Sequence, residues 1–114
     1  MKTREFNSVI TLLVFALMAG ISLPAMAVQS IEIIIKDHKF QPAEVNIPAK
    51  TKVKLVVHNQ DATPEEFESH SMHREKIIPG GARRSIFIGP LDPGNYEFFG
   101  EFNPKTAQGR VIVK

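Results

Sequence analysis

A short polar stretch in the middle of the chain gathers carboxylate, imidazole and thioether side chains. Glu66, Glu68, His70 and Met72 stand at alternate positions, so an extended backbone would place all four on one face and Phe67 on the other. Carboxylate and imidazole ligands suit Cu(II), iron and Zn(II), and a thioether adds a preference for Cu(I). The spacing therefore indicates a metal site. The alternative is that the glutamates form a solvated face and that His70 caps a loop.

The segment that carries these residues is long and polar and separates two apolar runs. It covers residues 60–78, and only residues 64–69 have a polarity that would allow one helical turn. Long excursions between core strands usually have a functional reason. His73 lies in the same segment, and we hold it and Met72 as reserve candidates for metal ligation.

The flanking segments have the pattern of short, half-buried strands. Val53, Leu55 and Val57 alternate with polar residues, as expected when one strand face is buried. Turn signals such as Pro79-Gly80-Gly81 and Pro93-Gly94 separate the runs. This pattern predicts an all-β fold, a Greek-key β-sandwich. The predicted strands are residues 31–36, 40–47, 52–59, 83–88, 96–99 and 111–113.

One aromatic residue could pin a crossing between the two sheets. Tyr96 follows the Pro93-Gly94 turn, and a tyrosine corner would direct its hydroxyl back to the backbone of that turn. The alternative is an ordinary strand aromatic.

The amino-terminal segment has the features of a secretory signal peptide. Two basic residues precede a thirteen-residue apolar run at 9–21, and Ala25-x-Ala27 suits signal peptidase. The apolar run is shorter than the ~20 residues that a membrane-spanning helix needs, which disfavours an uncleaved anchor. We predict a signal peptide at residues 1–27, one domain at residues 28–114, and a periplasmic location.

Composition excludes several classes of function. The chain has no cysteine, so it cannot form a thiolate-ligated metal centre. Its net charge is +2, with basic residues scattered among acidic ones, and we expect no nucleic-acid partner. No serine stands in a nucleophile-elbow context and no phosphate-binding glycine loop is present. We therefore predict that the protein is not an enzyme.

The carboxyl-terminal segment resembles the copper loop of the cupredoxins. Residues 91–114 read LDPGNYEFFGEFNPKTAQGRVIVK, and the family pattern is Y-x-F-x-C-x-x-H-P-x-x-x-M/Q-x-G. In this alignment Gly100 stands at the Cys position, Asn103 at the His position and Gln108 near the axial position. Glu101, beside the lost cysteine, could supply a carboxylate instead.

The likeness extends over residues 28–114. The phrases FQPAEVNIPA, EEFESH, REKIIPGG, IGPLDPGNYEFFGEF and P-x-T-A-Q-G look like the cysteine-poor cupredoxin-like domains related to the EfeO iron-uptake component. Asn59 and Asp61 followed by His70-Ser71 match the family's first histidine motif with a longer insert. The resemblance thus implies that His70 lies where the first copper ligand lies. It also implies a periplasmic metal-handling module linked with high-affinity iron permeases.

These observations lead to two hypotheses. In the first, the domain binds a copper or iron ion through Glu66, Glu68, His70 and Glu101, and assists a membrane metal permease or another periplasmic metal-handling protein. In the second, the sandwich has lost its metal and binds an envelope partner protein through residues 65–75. Electron transfer is disfavoured because no thiolate can tune a copper centre here.

Overall fold

The structure, a computed structural model, describes residues 27–114 together with Gly20. The predicted signal peptide, apart from Gly20 and Ala27, lies outside the described residues. Across residues 27–114 no helix has the length and hydrophobicity that crossing a membrane requires. This part of the chain contains nine strands: β1 (Gln29–Lys36), β2 (Lys39–Gln41), β3 (Glu44–Ile47), β4 (Val53–Asn59), β5 (Glu65–Ser69), β6 (Arg74–Ile78), β7 (Arg83–Ile88), β8 (Gly94–Gly100) and β9 (Gln108–Val113).

The strands form two mixed sheets that pack face to face, which confirms the predicted all-β Greek-key sandwich. One sheet has the order β2-β1-β4-β7, and the other has the order β3-β9-β8-β5-β6. Each contains one parallel pair, β1 with β4 and β3 with β9. The remaining pairs are antiparallel. The second sheet brings β5 and the copper-loop strands β8 and β9 together.

The core lies between the sheets and consists of aliphatic side chains around three phenylalanines. Phe67 and Phe98 stack at 4.8 Å between ring centroids, and Phe40 meets Phe98 edge-on at 5.0 Å. All three are buried. Such aromatic pairs add about 0.5–1.5 kcal/mol each to the free energy of area burial. The aromatic cluster therefore fixes β5 against β8, the central strand of the five-stranded sheet, and joins both to β2 of the other sheet.

The sequence pattern located most strands and missed one hairpin. Strands β5 and β6 occupy much of the polar segment at 60–78, and a turn at residues 70–73 joins them. The predicted strand at 40–47 is divided into β2 and β3 around Pro42, whose ring cannot donate a ladder hydrogen bond. The tyrosine corner is confirmed, because the Tyr96 hydroxyl donates to the Asp92 carbonyl at 2.8 Å.

Candidate metal centre

Strand β5 directs neighbouring glutamates to opposite faces of its sheet. Glu65 and Phe67 face the core and are 1% and 0% exposed. Glu66 and Glu68 face the other way, because side chains alternate along a strand. The strand thus supplies one carboxylate to the interior of the sandwich and two to its outer surface.

On the outer face, three carboxylates lie close together. Glu68 is directly opposite Glu75 in the β5–β6 pairing. One carboxylate oxygen from each of Glu66, Glu68 and Glu75 lies within 4.8 Å of the others. We call these three residues the carboxylate cluster. Three oxygen ligands at this separation could converge on one cation, and oxygen donors suit hard or borderline ions.

Glu66 is the most perturbed member of the cluster. Its residue surface is only 8% exposed. The pKa of its carboxyl is raised to about 7, first because the protonated form hydrogen-bonds Glu75, then because of partial burial and repulsion from Glu75 and Glu68. Crowded carboxylates disfavour their common ionised state. A bound cation would relieve the same repulsion that a proton relieves.

His70 lies at the edge of the carboxylate cluster. Its Nδ1 is 3.9 Å from a Glu68 oxygen, and its side chain is 81% exposed. Its ring contacts Phe99 at 5.4 Å between centroids. Together with Glu68 and Glu75, His70 and His73 line a surface pocket of about 510 Å³. An imidazole could therefore join the carboxylates by a rotation of an exposed side chain.

Met72 is not on the ligand face, and the expectation that it would be is wrong. Strand β5 ends at Ser69, and the chain then turns, with the His73 amide donating to the His70 carbonyl at 3.2 Å. The Met72 amide donates to the Ser69 hydroxyl at 3.3 Å. The turn breaks the alternation that an extended chain would have had, so the Met72 side chain is buried in the core at 5% exposure.

The four predicted ligands do not form one compact group. Glu66 and Glu68 come together, but Glu75 is their third member, and neither His70 nor Glu101 is within the cluster. The Glu101 amide donates to the Glu66 carbonyl at 2.9 Å, while its side chain is exposed. Sequence reasoning missed Glu75 because it did not treat 65–78 as a hairpin. A hairpin would have placed it opposite Glu68.

In the interior, Glu65 occupies the region of the copper loop. The Oε1 atom of Glu65 accepts hydrogen bonds from the Phe102 amide at 2.9 Å and from the Glu66 amide at 3.0 Å. Its Oε2 atom accepts from the Asn103 Nδ2 at 2.7 Å. The buried carboxylate therefore has three N–H donors, which is the arrangement that stabilises a buried acceptor.

Gly100, at the cysteine position of the cupredoxin pattern, faces this carboxylate. A Cβ atom on Gly100 would lie 2.6 Å from both the Glu65 Cδ and the Ala107 Cβ, closer than carbon atoms pack. We call Glu65, Gly100, Asn103 and Ala107 the interior position. No side chain larger than hydrogen fits at residue 100 while Glu65 keeps its place.

The interior position does not fit the copper ion that this fold holds in other proteins. It offers no thiolate and no imidazole, and its one carboxylate is already engaged by three donors. The Asn103 side chain points its amide nitrogen, a donor, into the position. The resemblance implied that His70 lies beside the loop that carries Gly100 and Asn103, but the residue that contacts this loop in the structure is Glu65. His70 lies beyond the other end of β5.

Two polar residues brace the loop that leads into β5. Asn59 is fully buried and donates through its Nδ2 to the carbonyls of Thr63 and Ile78 at 2.8 and 3.1 Å. Its Oδ1 accepts from the Asp61 amide at 3.0 Å. Asp61 in turn accepts from the His38 and Asp37 amides at 3.0 and 2.8 Å. The His38 amide is the largest cause of the lowered pKa of Asp61.

Comparison with known proteins supports this architecture. The model of the cupredoxin-like domain family matches residues 9–113. An uncharacterized protein of Rickettsia prowazekii (strain Madrid E) is 53% identical over 83 residues, which cover 73% of this chain and 66% of that protein. The chain therefore spans slightly less than two thirds of that relative's length.

Solved structures of copper proteins share the fold at low sequence identity. The metal-binding domain of the Cu(I)-exporting P-type ATPase CopA of Streptococcus pneumoniae D39 superposes with a TM-score of 0.69 at 19% identity, over 82% of this chain and 91% of that one. Auracyanin A, a blue copper protein of Chloroflexus aurantiacus, gives 0.67 at 14% identity over 77% and 100% of the two chains. The family model matches most of the chain and the fold agrees with it, so the chain belongs to the cupredoxin-like domain family.

Proposed function

We propose that this protein is an exported metal-handling module that binds Cu(II) or an iron ion on the outer face of its β5–β6 hairpin. The observation that carries the proposal is the carboxylate cluster, in which oxygens of Glu66, Glu68 and Glu75 lie within 4.8 Å of one another. The exposed imidazole of His70 could complete the ligand set. Carboxylate and imidazole ligands suit these ions.

Family membership supports the same proposal, since two solved proteins of this fold are described as a metal-binding domain with Cu(I) and a blue copper protein. The ligand loop of this chain has lost the residues for interior copper. Metal handling would therefore depend on the outer surface. We propose further that the protein assists iron or copper uptake, as the likeness to EfeO-related domains implies, and that it is not an enzyme.

Its proposed partner is a membrane metal permease or another periplasmic metal-handling protein. Export would follow from the signal peptide predicted at residues 1–27. The exposed members of the site, Glu75 and His70, suit transfer, because exposed ligands can be shared with a second protein while buried ligands cannot. The same exposure would make the protein a poor electron carrier, which needs a rigid and enclosed centre.

The test is titration of the protein, residues 28–114, with Cu(II) and separately with iron, followed by calorimetry and electron paramagnetic resonance. We expect one Cu(II) per chain with a type-2 signal. Glu75→Gln should weaken binding, and His70→Ala should remove nitrogen hyperfine structure. Glu97→Gln, which changes an exposed carboxylate outside the cluster, serves as the control. Binding that is equal in Glu75→Gln and Glu97→Gln would refute the proposed site.

A second function has one specific observation in its favour. Because Glu65 fills the interior position, the fold is complete without metal. The protein could then be a metal-free interaction module that binds an envelope partner through the β5–β6 hairpin. In that case a partner would be captured equally with and without EDTA, and Glu75→Lys would weaken capture. Capture that is lost in EDTA would favour the metal-binding module instead.

A further inference from the structure

We propose that the Glu65 carboxylate has the structural role that a copper ion would have in this fold. It holds the ligand loop, residues 100–107, closed without metal. In a metal centre a central charge draws several ligand groups to one point. Here the central charge is the carboxylate, and the groups it draws are N–H donors. The inference concerns the interior position alone and is independent of whether the carboxylate cluster binds metal.

The hydrogen bonds show how the carboxylate acts on the loop. Two of its three donors, the Phe102 amide and the Asn103 Nδ2, belong to the loop, and they lie 37 and 38 residues along the chain from Glu65. Each is within 3 Å of a carboxylate oxygen. Hydrogen bonds to a charged acceptor are shorter and stronger than neutral ones. Glu65 therefore ties the start of β5 to the tip of the loop.

The loop backbone is already shaped to receive this carboxylate. The Gly100 amide donates to the Ala107 carbonyl at 2.8 Å, and the Ala107 amide donates to the Asn103 carbonyl at 2.9 Å. These bonds form a compact turn that presents its N–H groups inward. Without an acceptor, the Phe102 amide and the Asn103 Nδ2 would be unsatisfied or would turn to solvent, at a cost in free energy.

Gly100 and Glu65 depend on each other. A cysteine at residue 100 would place its Cβ 2.6 Å from the Glu65 Cδ and would extend its sulfur further into the same volume. A copper ligand at this residue and an inward carboxylate at Glu65 are therefore mutually exclusive in this backbone. Gly100 and the inward Glu65 therefore go together, and they replace a loop that a metal holds with a loop that a carboxylate holds.

The test compares Glu65→Gln with Glu101→Gln, a neighbouring exposed glutamate, in buffer containing EDTA. A glutamine removes the charge and presents an amide NH₂ where an acceptor oxygen stood. We expect the Phe102 amide to exchange its hydrogen at least about tenfold faster in Glu65→Gln, the loss typical of one charged hydrogen bond. Glu101→Gln should exchange at the wild-type rate. Equal exchange in both variants would overturn the proposal.

A second measurement remains informative if Glu65→Gln fails to fold. Wild-type protein is titrated with Cu(II) while the backbone amide signals are followed by nuclear magnetic resonance. A closed interior keeps the ion outside, so any broadening should be centred on Glu66, Glu68 and Glu75. The Phe102 and Asn103 signals should broaden less than the signals of these three residues. Broadening centred on Phe102 and Asn103 would show that copper displaces Glu65, and the proposal would fail.

Discussion

Glu65 and Glu66 are adjacent residues of one strand, yet the molecule uses them in opposite ways. Glu65 faces the core and accepts three N–H groups. Glu66 faces outward towards two other carboxylates and has a pKa raised to about 7. The partners that each side chain meets, rather than residue type or burial, decide its role. Donors make a carboxylate a structural acceptor, and like charges make it a site for a proton or a cation.

The two faces also differ in what they offer a metal. At the interior position the carboxylate already accepts three N–H groups, and a Cβ on Gly100 would lie 2.6 Å from both Glu65 and Ala107. On the outer face the carboxylates lack donors and lie at a separation that one ion could bridge. Under the proposed function, metal would be held on the outer face, while the Glu65 carboxylate would hold the ligand loop from the inside.

The largest expected effect is a difference in stability between the variants Glu65→Ala and Glu66→Ala. Glu65→Ala would leave three N–H donors, one buried and two partly buried, without their acceptor. Unsatisfied buried donors cost about 1–3 kcal/mol each, and we expect a loss of about 3 kcal/mol or more in the free energy of unfolding. Glu66→Ala should cause no loss, since it removes repulsion. Urea denaturation, with equal slopes required for the comparison, measures both. If both variants lost the same free energy of unfolding, the proposed difference between Glu65 and Glu66 would be wrong.

Asp61 extends the comparison to a third carboxylate, with a smaller expected effect. It accepts from the Asp37 and His38 amides, both of which have positive φ angles of 52° and 56°. Asp61→Asn should destabilise the protein by about 1–2 kcal/mol at neutral pH, because an amide accepts with only one oxygen. Asp92→Asn, which alters an exposed ion pair with Lys50, is the matched control and should cost less.

The pH dependence of the Asp61 effect has a definite sign. Its pKa is lowered below the ordinary value of 3.8, so the folded state binds fewer protons than the unfolded state in that range. The stabilisation is complete above the ordinary value and is lost as pH falls through the lower folded value. The difference between wild type and Asp61→Asn should therefore vanish in strong acid. A difference that persists there would mean that charge is not its source.

The sequence revealed the fold more fully than it revealed the site. Strand β7 is predicted at its observed bounds, since alternation within one segment is a local property. Strands β5 and β6 are missed because charged residues occupy most of their positions and their turn carries no glycine. Because the hairpin was missed, the pairing of Glu68 with Glu75 was missed too, since this pairing depends on cross-strand register.

The interior position could not be predicted for a different reason. Glu65 and Asn103 are 38 residues apart. The local alternation places Glu65 on the face of Phe67, but no local pattern pairs Glu65 with the loop that carries Asn103. Only the strand phase, which Phe67 sets by entering the core, decides which glutamate turns inward. The family pattern identified the loop positions Gly100 and Asn103 correctly as altered, but it assigned the opposing ligand position to His70. If the alternation of β5 were shifted by one residue, Glu66 would face the core and Glu65 would face outward.

The smallest expected effect is a change of stability with pH that arises from the carboxylate cluster on the outer face. Glu66 holds its proton to about pH 7 in the folded state, against 4.5 for an unperturbed carboxyl. The folded state therefore binds more protons than the unfolded state between these values, and stability must fall as pH rises through this window. We expect the urea midpoint of the wild type, measured in EDTA, to decline from pH 4.5 to 7.

Glu66→Gln should flatten this decline, because glutamine keeps the shape and cannot titrate. The variant should match the wild type at the acidic end, where Glu66 is protonated, and exceed it at pH 7, where Glu68 and Glu75 repel the ionised group. Glu97→Gln, outside the cluster, should keep the wild-type slope. If Glu66→Gln declined as steeply as Glu97→Gln, the outer carboxylates would not be coupled. The contrast between the two faces of β5 would then rest on the inner face alone.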